Sequence, residues 1–289
     1  MIQAAPRRLQ RRKLTNLFML SLCILATLLV VTPLLWIIGY VIQQGMPAIN
    51  ISFFTQLPTP VGVPGGGIAN ALVGSAMTVG LGLLIAVPIG ALAGIYAATH
   101  SETSLGIALR FSTDVISGVP SIVMGIFAYT IIVLPQRHFS AFSGGVVLAF
   151  IMLPTLIRTT EEMIHLVPKS LHEGSLALGA AEWKTSLSII IPAAANGILT
   201  GVMLAIARAA GEAAPMLFTA FGNPFFNLDF RQPVATLPHT IFVYAIAPYD
   251  DWHAKAWATA LVLISFVLLL NILARLITWW RMHHIGTYH

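Results

Sequence analysis

A long stretch near the start of this chain lacks all four charged residue types. No Asp, Glu, Lys or Arg occurs from Leu14 to Ser101. Soluble domains contain about 25% charged residues, whereas this chain contains 9%. The uncharged stretch must therefore lie in lipid or in loops between segments that cross lipid. We expect a single membrane domain with no soluble domain attached.

The apolar stretches predict the number of membrane crossings. A transmembrane helix needs about 20 mostly apolar residues. Glycines and prolines in the connection 43–68 prevent a helix from continuing through it. Pro88 and Pro120 should bend or interrupt their helices, and the pair Gly90 and Gly94 should let two helices approach closely. The six stretches that qualify as spans are 17–42, 69–98, 109–134, 144–166, 193–217 and 254–280.

The Lys and Arg residues predict the orientation. A basic cluster precedes the first apolar stretch, and the predicted external loops and edges contain only Arg137, Arg231 and Lys255. This asymmetry is typical of a cytoplasmic N-terminus and, after six crossings, a cytoplasmic C-terminus. Basic residues in this position do not indicate nucleic-acid binding. The predicted divisions are a cytoplasmic arm (1–16), a first transmembrane helix with its external loop (17–68), a membrane core (69–280) and a cytoplasmic tail (281–289).

The segment 167–192, between the fourth and fifth spans, differs from a plain polar loop. Its leucines and Trp183 alternate with charged and small residues. This pattern predicts one or two short amphipathic helices, with Gly179 allowing a sharp turn between them. An exposed apolar face on a short helix at the membrane surface implies a protein partner.

This segment resembles the cytoplasmic signature of ABC importer permeases. In that signature Glu-Ala-Ala is followed by three residues, Gly, nine residues and Ile-x-Leu-Pro. Gly174 and Ser175 replace the two alanines here, and Ile191 replaces the leucine. The resemblance implies that the loop docks in a cleft of an ATPase subunit and transmits nucleotide-driven closure to the membrane helices. The positions that match are Glu173, Gly179, Ile189 and Pro192.

The chain offers no sign of chemistry of its own. Gly65–Gly67 is followed by Ile-Ala-Asn and not by the Lys-Ser/Thr of a phosphate-binding loop. The neighbouring carboxylates Glu161 and Glu162 would point about 100° apart on a helix, so they make a poor acid–base pair. No two histidines have metal-ligand spacing on a span. We therefore expect no catalytic residue, metal or cofactor in this chain, and ATP with Mg²⁺ to be hydrolysed by partner subunits.

Charged residues inside the predicted spans suggest a lined pathway. Arg208 and Glu212 are four residues apart, which would place them on one helix face, and Arg208 lies about 24 Å along the helix from Pro192. Arg158 and Glu161 are three apart near the end of the fourth span. Intramembrane charges usually face a pathway. Two alternatives stay open: an internal pair made for packing, and charges that belong to the interface.

The residue types also suggest what passes. The planar fork of an arginine binds two oxygens of an oxyanion at once. A carboxylate beside it accepts a hydrogen bond from the O–H of protonated phosphate but repels sulfate, which carries no proton at neutral pH.

A second resemblance points the same way. Residues Arg208–Pro215 read Arg-Ala-Ala-Gly-Glu-Ala-Ala-Pro and resemble the Arg-Ala-x-Gly-Glu-Thr-Ala-Pro signature of phosphate importer permeases, with Ala213 in place of the threonine. Val119–Gly125, Pro154–Glu161 and Pro233–Pro238 also match, so the resemblance covers most of the chain beyond the first external loop. The Ala-Pro after the glutamate favours the PstA-type subunit over the PstC-type subunit.

The resemblance implies an all-α polytopic membrane protein with six transmembrane helices, a MetI-like ABC permease core and cytoplasmic coupling helices. It implies that Arg158, Glu161 and Arg208 lie on the path of phosphate, and the carboxylate argument adds Glu212. The implied partners are a PstC-type permease, two PstB-type ATPase subunits, a PstS-type external phosphate-binding protein and the lipid of the bacterial inner membrane.

Two alternatives to a phosphate importer remain. One is an ABC permease for another oxyanion, such as phosphonate or molybdate. The other is a secondary transporter, which would need no ATPase-docking loop. Whether the segment 234–247 re-enters the membrane is also left open.

Overall fold

A computed structural model describes residues 6–285, so the predicted arm and tail lie partly outside the described residues. Within that range the regular structure is helical, apart from one isolated bridge between Phe221 and Val234. The helices are α1 (Pro6–Gly45), α2 (Ile51–Thr55), α3 (Ala69–Thr99), α4 (Ser104–Gly118), α5 (Ser121–Ala128), α6 (Leu134–Gln136), α7 (Ala141–His165), α8 (Lys169–Ala177), α9 (Glu182–Thr185), α10 (Ile191–Ala210), α11 (Ala214–Thr219), α12 (Leu237–Ile246) and α13 (Asp250–Ile285).

Five helical segments are long and apolar enough to cross a membrane. They are α1, α3, α7, α13 and the run from Glu182 to Ala210, in which a π-helical stretch (Ser186–Ile190) joins α9 to α10. The predicted span 109–134 is broken instead of straight. α4 and α5 are bent by 104° relative to each other, so residues 6–285 contain five candidate spans, or six if this pair counts as one.

Pro120 explains the break between α4 and α5. Proline disfavours the helical conformation in the residue before it, and Val119 is extended, with φ −74° and ψ 128°. The prediction that Pro120 interrupts its helix is confirmed. Pro88, by contrast, lies inside α3 without ending that helix.

The central helix of the bundle is α7, which is the most buried of the long helices. Small residues on its neighbours make this burial possible. A Cβ atom on Gly90 of α3 would lie 2.7 Å from the Cβ of Leu156, and one on Gly94 would lie 2.6 Å from the Cβ of Thr160. Gly201 of α10 faces α7 in the same way. The predicted close approach at Gly90 and Gly94 is confirmed.

α1 lies at the edge of the bundle and is the least buried span. It packs on α13 near its C-terminal end, where the rings of Tyr40 and Trp257 meet edge to face with centroids 5.2 Å apart. Gly45 approaches the backbone of Trp257 closely enough that a Cβ there would lie 2.8 Å from its carbonyl oxygen. The leucines of α1 from Leu14 to Leu35 are exposed, as expected for a helix that faces lipid.

The two ends of the bundle differ. α8 and α9 lie at the end where α3 and α7 finish, which we call the α8 end. α12 lies at the opposite end, the α12 end, beside the start of α3, where the backbone N–H of Leu237 donates to the Ser75 hydroxyl at 2.8 Å. With ten residues, α12 is too short to span a membrane of about 30 Å.

Candidate functional site

Charged side chains of α4 and α7 form a continuous hydrogen-bonded network. Arg110 donates through Nε to Glu161 and through Nη2 to the carbonyl oxygen of Ala97, at 3.1 Å. Arg158 donates through Nη1 to the other oxygen of Glu161, at 3.3 Å, and through Nη2 to Asp114. Cations and carboxylates therefore alternate across the contact between the two helices.

Glu161 is the buried centre of this network, which we call the α4–α7 network. The residue is 4% exposed, and a buried carboxylate is tolerated when it is paired and hydrogen-bonded. Two guanidinium groups satisfy its two oxygens, and the His165 ring lies 4.0 Å away. Glu161 is therefore placed to hold the two arginines in position, and its oxygens are already engaged.

The outer edge of the network is more accessible. The side chain of Arg158 is 36% exposed and that of Asp114 is 60% exposed. Arg158 thus contacts a buried carboxylate on one side and an exposed carboxylate on the other. An anion approaching this surface would meet Asp114 and Arg158 before Glu161.

Arg208 lies in the last turn of α10, beside the break between α4 and α5. It lines a narrow cleft that also includes Ser117, Ser121 and Pro154. Ile151 and Pro154, which share this cleft, precede Arg158 on α7 by seven and four residues, so Arg208 lies about one to two helical turns, or about 6–10 Å, from the level of Arg158 along the helix axis. In the described residues 6–285 Arg208 has no ion-pair partner.

The structure separates Glu212 from the helix face of Arg208. α10 ends at Ala210 with Gly211 as its C-terminal cap, and the N–H of Glu212 donates to the carbonyl oxygen of Ala209 at 3.2 Å. The prediction that Arg208 and Glu212 share one helix face is therefore wrong. Their two side chains form no ion pair within the described part of the chain.

The local sequence explains why the helix stops there. Gly211 is a poor helix former, and Pro215, in the first turn of α11, favours a new helix start over continuation of α10. Glu212 therefore lies in the short connection between α10 and α11, where it is half-buried.

The sequence argument missed Arg110 and Asp114 as site residues. A signal was present, because both lie in the apolar stretch 109–134 and are four residues apart. Charges in such a stretch are costly unless they pair. Their partners on α7 could not be read from the sequence.

The segment 167–192 forms the predicted pair of short helices. α8 and α9 are joined by a turn in which Gly179 has a φ of +81°, a conformation that glycine adopts without strain. The hydroxyls of Ser175 and Thr185 lie 2.8 Å apart and are buried, and this contact ties α8 to α9. The serine at position 175, where the family signature has an alanine, therefore supplies one of the two hydroxyls of this contact.

Apolar side chains project from this end of the molecule. Leu178 is 90% exposed and Trp183 is 68% exposed. Leu178 is the C-terminal cap of α8, and Trp183 lies in α9 just after the turn at Gly179. Exposed apolar groups of this kind mark a surface that contacts another protein or lipid.

The other predicted loop residues lie nearby. Glu173 is exposed on α8 and lines a cleft of about 490 Å³ together with His100, His165 and His172. Ile189 lies in the π-helical stretch, and Pro192 follows that stretch at the start of α10.

Comparison with known proteins identifies the class. Residues 90–279 match the family of binding-protein-dependent transport system inner membrane components. The chain belongs to this family and is a multi-pass inner-membrane protein.

Individual relatives show which members of this family the chain resembles. The chain is 44% identical over 245 residues to the phosphate transport system permease protein PstA of Yersinia pestis, with 84% of this chain and 83% of the relative covered. It is 43% identical over 266 residues to the protein of the same name from Haemophilus influenzae, with 92% and 94% covered. The predicted resemblance to PstA-type permeases is confirmed.

A solved structure supports the fold. The chain resembles a subunit of the MetNI methionine ABC transporter in an inward-facing conformation, with a TM-score of 0.60, 16% identity, and coverage of 73% of this chain and 94% of that chain. The predicted all-α fold with a MetI-like permease core is confirmed.

Proposed function

We propose that this chain is one of two permease subunits of an ATP-driven importer of inorganic phosphate. The observation that carries the proposal is the placement of Arg208 and Arg158 at successive levels along one wall of the bundle. Arg208 has no ion-pair partner within residues 6–285, and Arg158 pairs with exposed Asp114 as well as with buried Glu161. The printed names of relatives more than 40% identical over most of the chain support phosphate as the substrate.

The side of the bundle that bears Arg208 and Arg158 suits a protonated oxyanion. Guanidinium groups bind oxyanions through two parallel N–H donors, and successive groups about one to two turns apart would let the anion pass from one to the next. Glu212, just beyond the end of the helix that bears Arg208, supplies an acceptor for a phosphate O–H. The burial of Glu161 and its ion pairs with Arg110 and Arg158 support a positioning role for it in this proposal.

The α8 end is the proposed attachment point for the ATPase. Leu178 and Trp183 supply the apolar contact, and the Ser175–Thr185 hydroxyl pair keeps the two short helices in one arrangement. ATP and Mg²⁺ would bind to the PstB-type subunits. A PstC-type permease would complete the pathway, and a PstS-type protein would deliver phosphate at the α12 end.

The orientation follows from the Lys and Arg distribution. The basic cluster in the first turns of α1 supports a cytoplasmic N-terminus, and with it a cytoplasmic α8 end. Both termini would then be cytoplasmic, because the broken pair α4–α5 completes an even number of crossings.

The test is uptake by the assembled complex in proteoliposomes with the external binding protein. Arg208→Gln should lower the initial rate of phosphate uptake by about tenfold or more, since a hydrogen bond to a charged group contributes about 1.5–3 kcal/mol. Glu212→Gln should lower it by a smaller factor. Lys255→Gln, which removes a cation from α13, is the matched control and should transport normally. Uptake at the wild-type rate in both Arg208→Gln and Glu212→Gln would sink the proposed pathway.

The same assay distinguishes the other oxyanions. Unlabelled phosphonate, molybdate or sulfate is added in excess during uptake of labelled phosphate. Competition by phosphate alone supports the proposed substrate. A stronger effect of molybdate or phosphonate would assign the pathway to that anion.

A further inference from the structure

The two carboxylates bound to Arg158 differ in a way that the pathway alone does not explain. Glu161 is buried and is held from its other side by Arg110. Asp114 is mostly exposed, and Arg158 is its one ion-pair partner among the described residues. One carboxylate is therefore locked in place, while the other can leave without exposing a buried charge.

We propose that Asp114 is a displaceable counter-ion, whose carboxylate occupies the position at Arg158 that an oxygen of the transported anion takes during passage. This proposal rests on the proposed function and adds a residue to it. Carboxylate and phosphate oxygens bind a guanidinium through the same donors and with similar geometry. Asp114 thus stands in for the substrate while the pathway is empty.

The energies of the two contacts support an exchange. An exposed ion pair contributes little to stability, because water solvates the separated charges well. Phosphate carries up to two negative charges and offers more acceptor oxygens than a carboxylate, so it competes effectively for the same donors. Arg158 also donates through Nη1 to Glu161 at 3.3 Å, and this second contact would hold the guanidinium on the path when Asp114 leaves.

The position of Asp114 on α4 gives the exchange a direction. Asp114 precedes Ser117 by three residues, and Ser117 lines the cleft of Arg208. An anion at Arg208 therefore lies about one to two turns from the Asp114–Arg158 pair, on the side away from Arg110. Displacement of Asp114 is the step that admits the anion from the level of Arg208 to the level of Arg158.

A counter-ion of this kind also limits leakage. While Asp114 neutralises Arg158, an anion that is not delivered to the pathway must replace a carboxylate that is already bound. Removal of the carboxylate lowers that cost for every anion. The substitution Asp114→Asn should therefore strengthen anion binding to the complex in the absence of nucleotide. Substitution of a residue that only stabilises the fold should not have this effect.

The experiment measures binding of radiolabelled inorganic phosphate to the intact, nucleotide-free complex by equilibrium dialysis, with no binding protein present. Asp114→Asn should bind phosphate about twofold to fivefold more tightly than wild type, the range that an exposed ion pair contributes. Asp114→Glu, which keeps the charge, should stay closer to wild type. Glu162→Gln removes an exposed carboxylate from α7 that pairs with no cation in the described residues, and it should leave binding unchanged.

Unchanged or weaker phosphate binding by an assembled Asp114→Asn complex would overturn the proposal, as would equal tightening by Glu162→Gln. If the Asp114→Asn complex does not assemble, the double variant Asp114→Arg with Arg158→Asp, in which the two residues are exchanged, is tested instead. An exchanged complex that assembles but does not transport supports the proposal, because Arg158 is then needed by the anion. Normal transport by the exchanged complex, or failure of both variants to assemble, shows a structural pair and overturns it.

The wild-type complex separates this proposal from the proposed function. Phosphate binding by wild type with no change in Asp114→Asn rejects only the counter-ion. If wild type binds molybdate or sulfate and no phosphate, the proposed substrate is rejected, and the ratio between variant and wild type measured with that anion still decides the role of Asp114. The absence of anion binding in every variant rejects both.

Discussion

Arg110 and Glu161 lie 51 positions apart in the sequence and form an ion pair that joins α4 to α7. α4 is the first half of the broken span, and α7 is the central helix of the bundle. The pair therefore joins the first half of a bent element to the most buried of the long helices. It also sets the position of Arg158, since both arginines donate to the same carboxylate.

Removing the shared carboxylate should destabilise the bundle. Glu161→Gln cannot balance two guanidinium groups, and we expect a loss of about 2 kcal/mol of stability from the two charged hydrogen bonds. Thermal unfolding of the detergent-purified complex measures this. Glu162→Gln changes the adjacent, exposed carboxylate and should unfold at the wild-type temperature. Equal midpoints for the two variants would show that the α4–α7 network does not hold the helices together.

The contact between α3 and α7 should not tolerate a larger residue at Gly94. A Cβ there would lie 2.6 Å from the Cβ of Thr160 and 2.7 Å from the carbonyl oxygen of Ile157. Gly94→Ala forces one helix to shift, and overpacking of this kind costs about 1–3 kcal/mol. Gly80→Ala on the same helix is the control, because no described atom outside its own helix lies within 4 Å of the added carbon. A midpoint for Gly94→Ala as high as that of Gly80→Ala would contradict the close packing.

A charge on the exposed part of the segment 167–192 should uncouple the chain from the proposed ATPase partner. Leu178 is exposed, so Leu178→Glu should leave the fold of the permease intact while placing a charge where an apolar contact is proposed. We expect loss of ATPase co-purification and of uptake, at unchanged permease yield. Val61→Glu puts the same charge on an exposed valine of the 57–68 connection and should copurify normally. Retained ATPase in Leu178→Glu would move the docking surface elsewhere.

Acid should weaken the packing at the α12 end through His239. A Cβ on Gly222, which has a φ of +90°, would lie 2.4 Å from Cε1 of this ring, and burial lowers the pKa of His239 below 6.5. The unfolded chain then binds the proton first as the pH falls. The stability contributed by neutral His239 is present above pH 6.5 and is lost as the pH falls through 6.5 toward the lowered pKa.

Unfolding midpoints between pH 5 and pH 8 test this dependence. His239→Gln should flatten the decline on the acid side, whereas His138→Gln, at an exposed histidine, should preserve it. An identical pH profile for wild type and His239→Gln would exclude His239 as the group responsible.

Much of the fold could be predicted because lipid imposes a simple rule on the sequence. Helices that cross it must be long and apolar, and the predicted stretches correspond to α1, α3, α7, the α9–α10 run and α13. The stretch 109–134 is apolar enough to fit this rule, but it does not form one straight helix. Pro120 predicted a break in this stretch. The angle of 104° also depends on what α5 packs against, and a single proline does not specify those contacts.

The site was predicted in part, and the error at Glu212 has a local cause. Extending the fifth span to residue 217 ignored Gly211 and Pro215, which end one helix and begin the next. Arg158 and Glu161 were recognised because three residues on a helix bring side chains together. Arg110 and Asp114 were not, although they complete the same network.

The sequence by itself determined that this chain lies in the membrane, which segments are apolar enough to cross it, and that the loop with Gly179 turns sharply between two short helices. These properties follow from composition and from contacts between near neighbours along the chain. Only the tertiary structure decided that Asp114 meets Arg158 and that Arg110 meets Glu161. Such pairs depend on the rotation and depth of α4 against α7, and close packing across the whole bundle sets both.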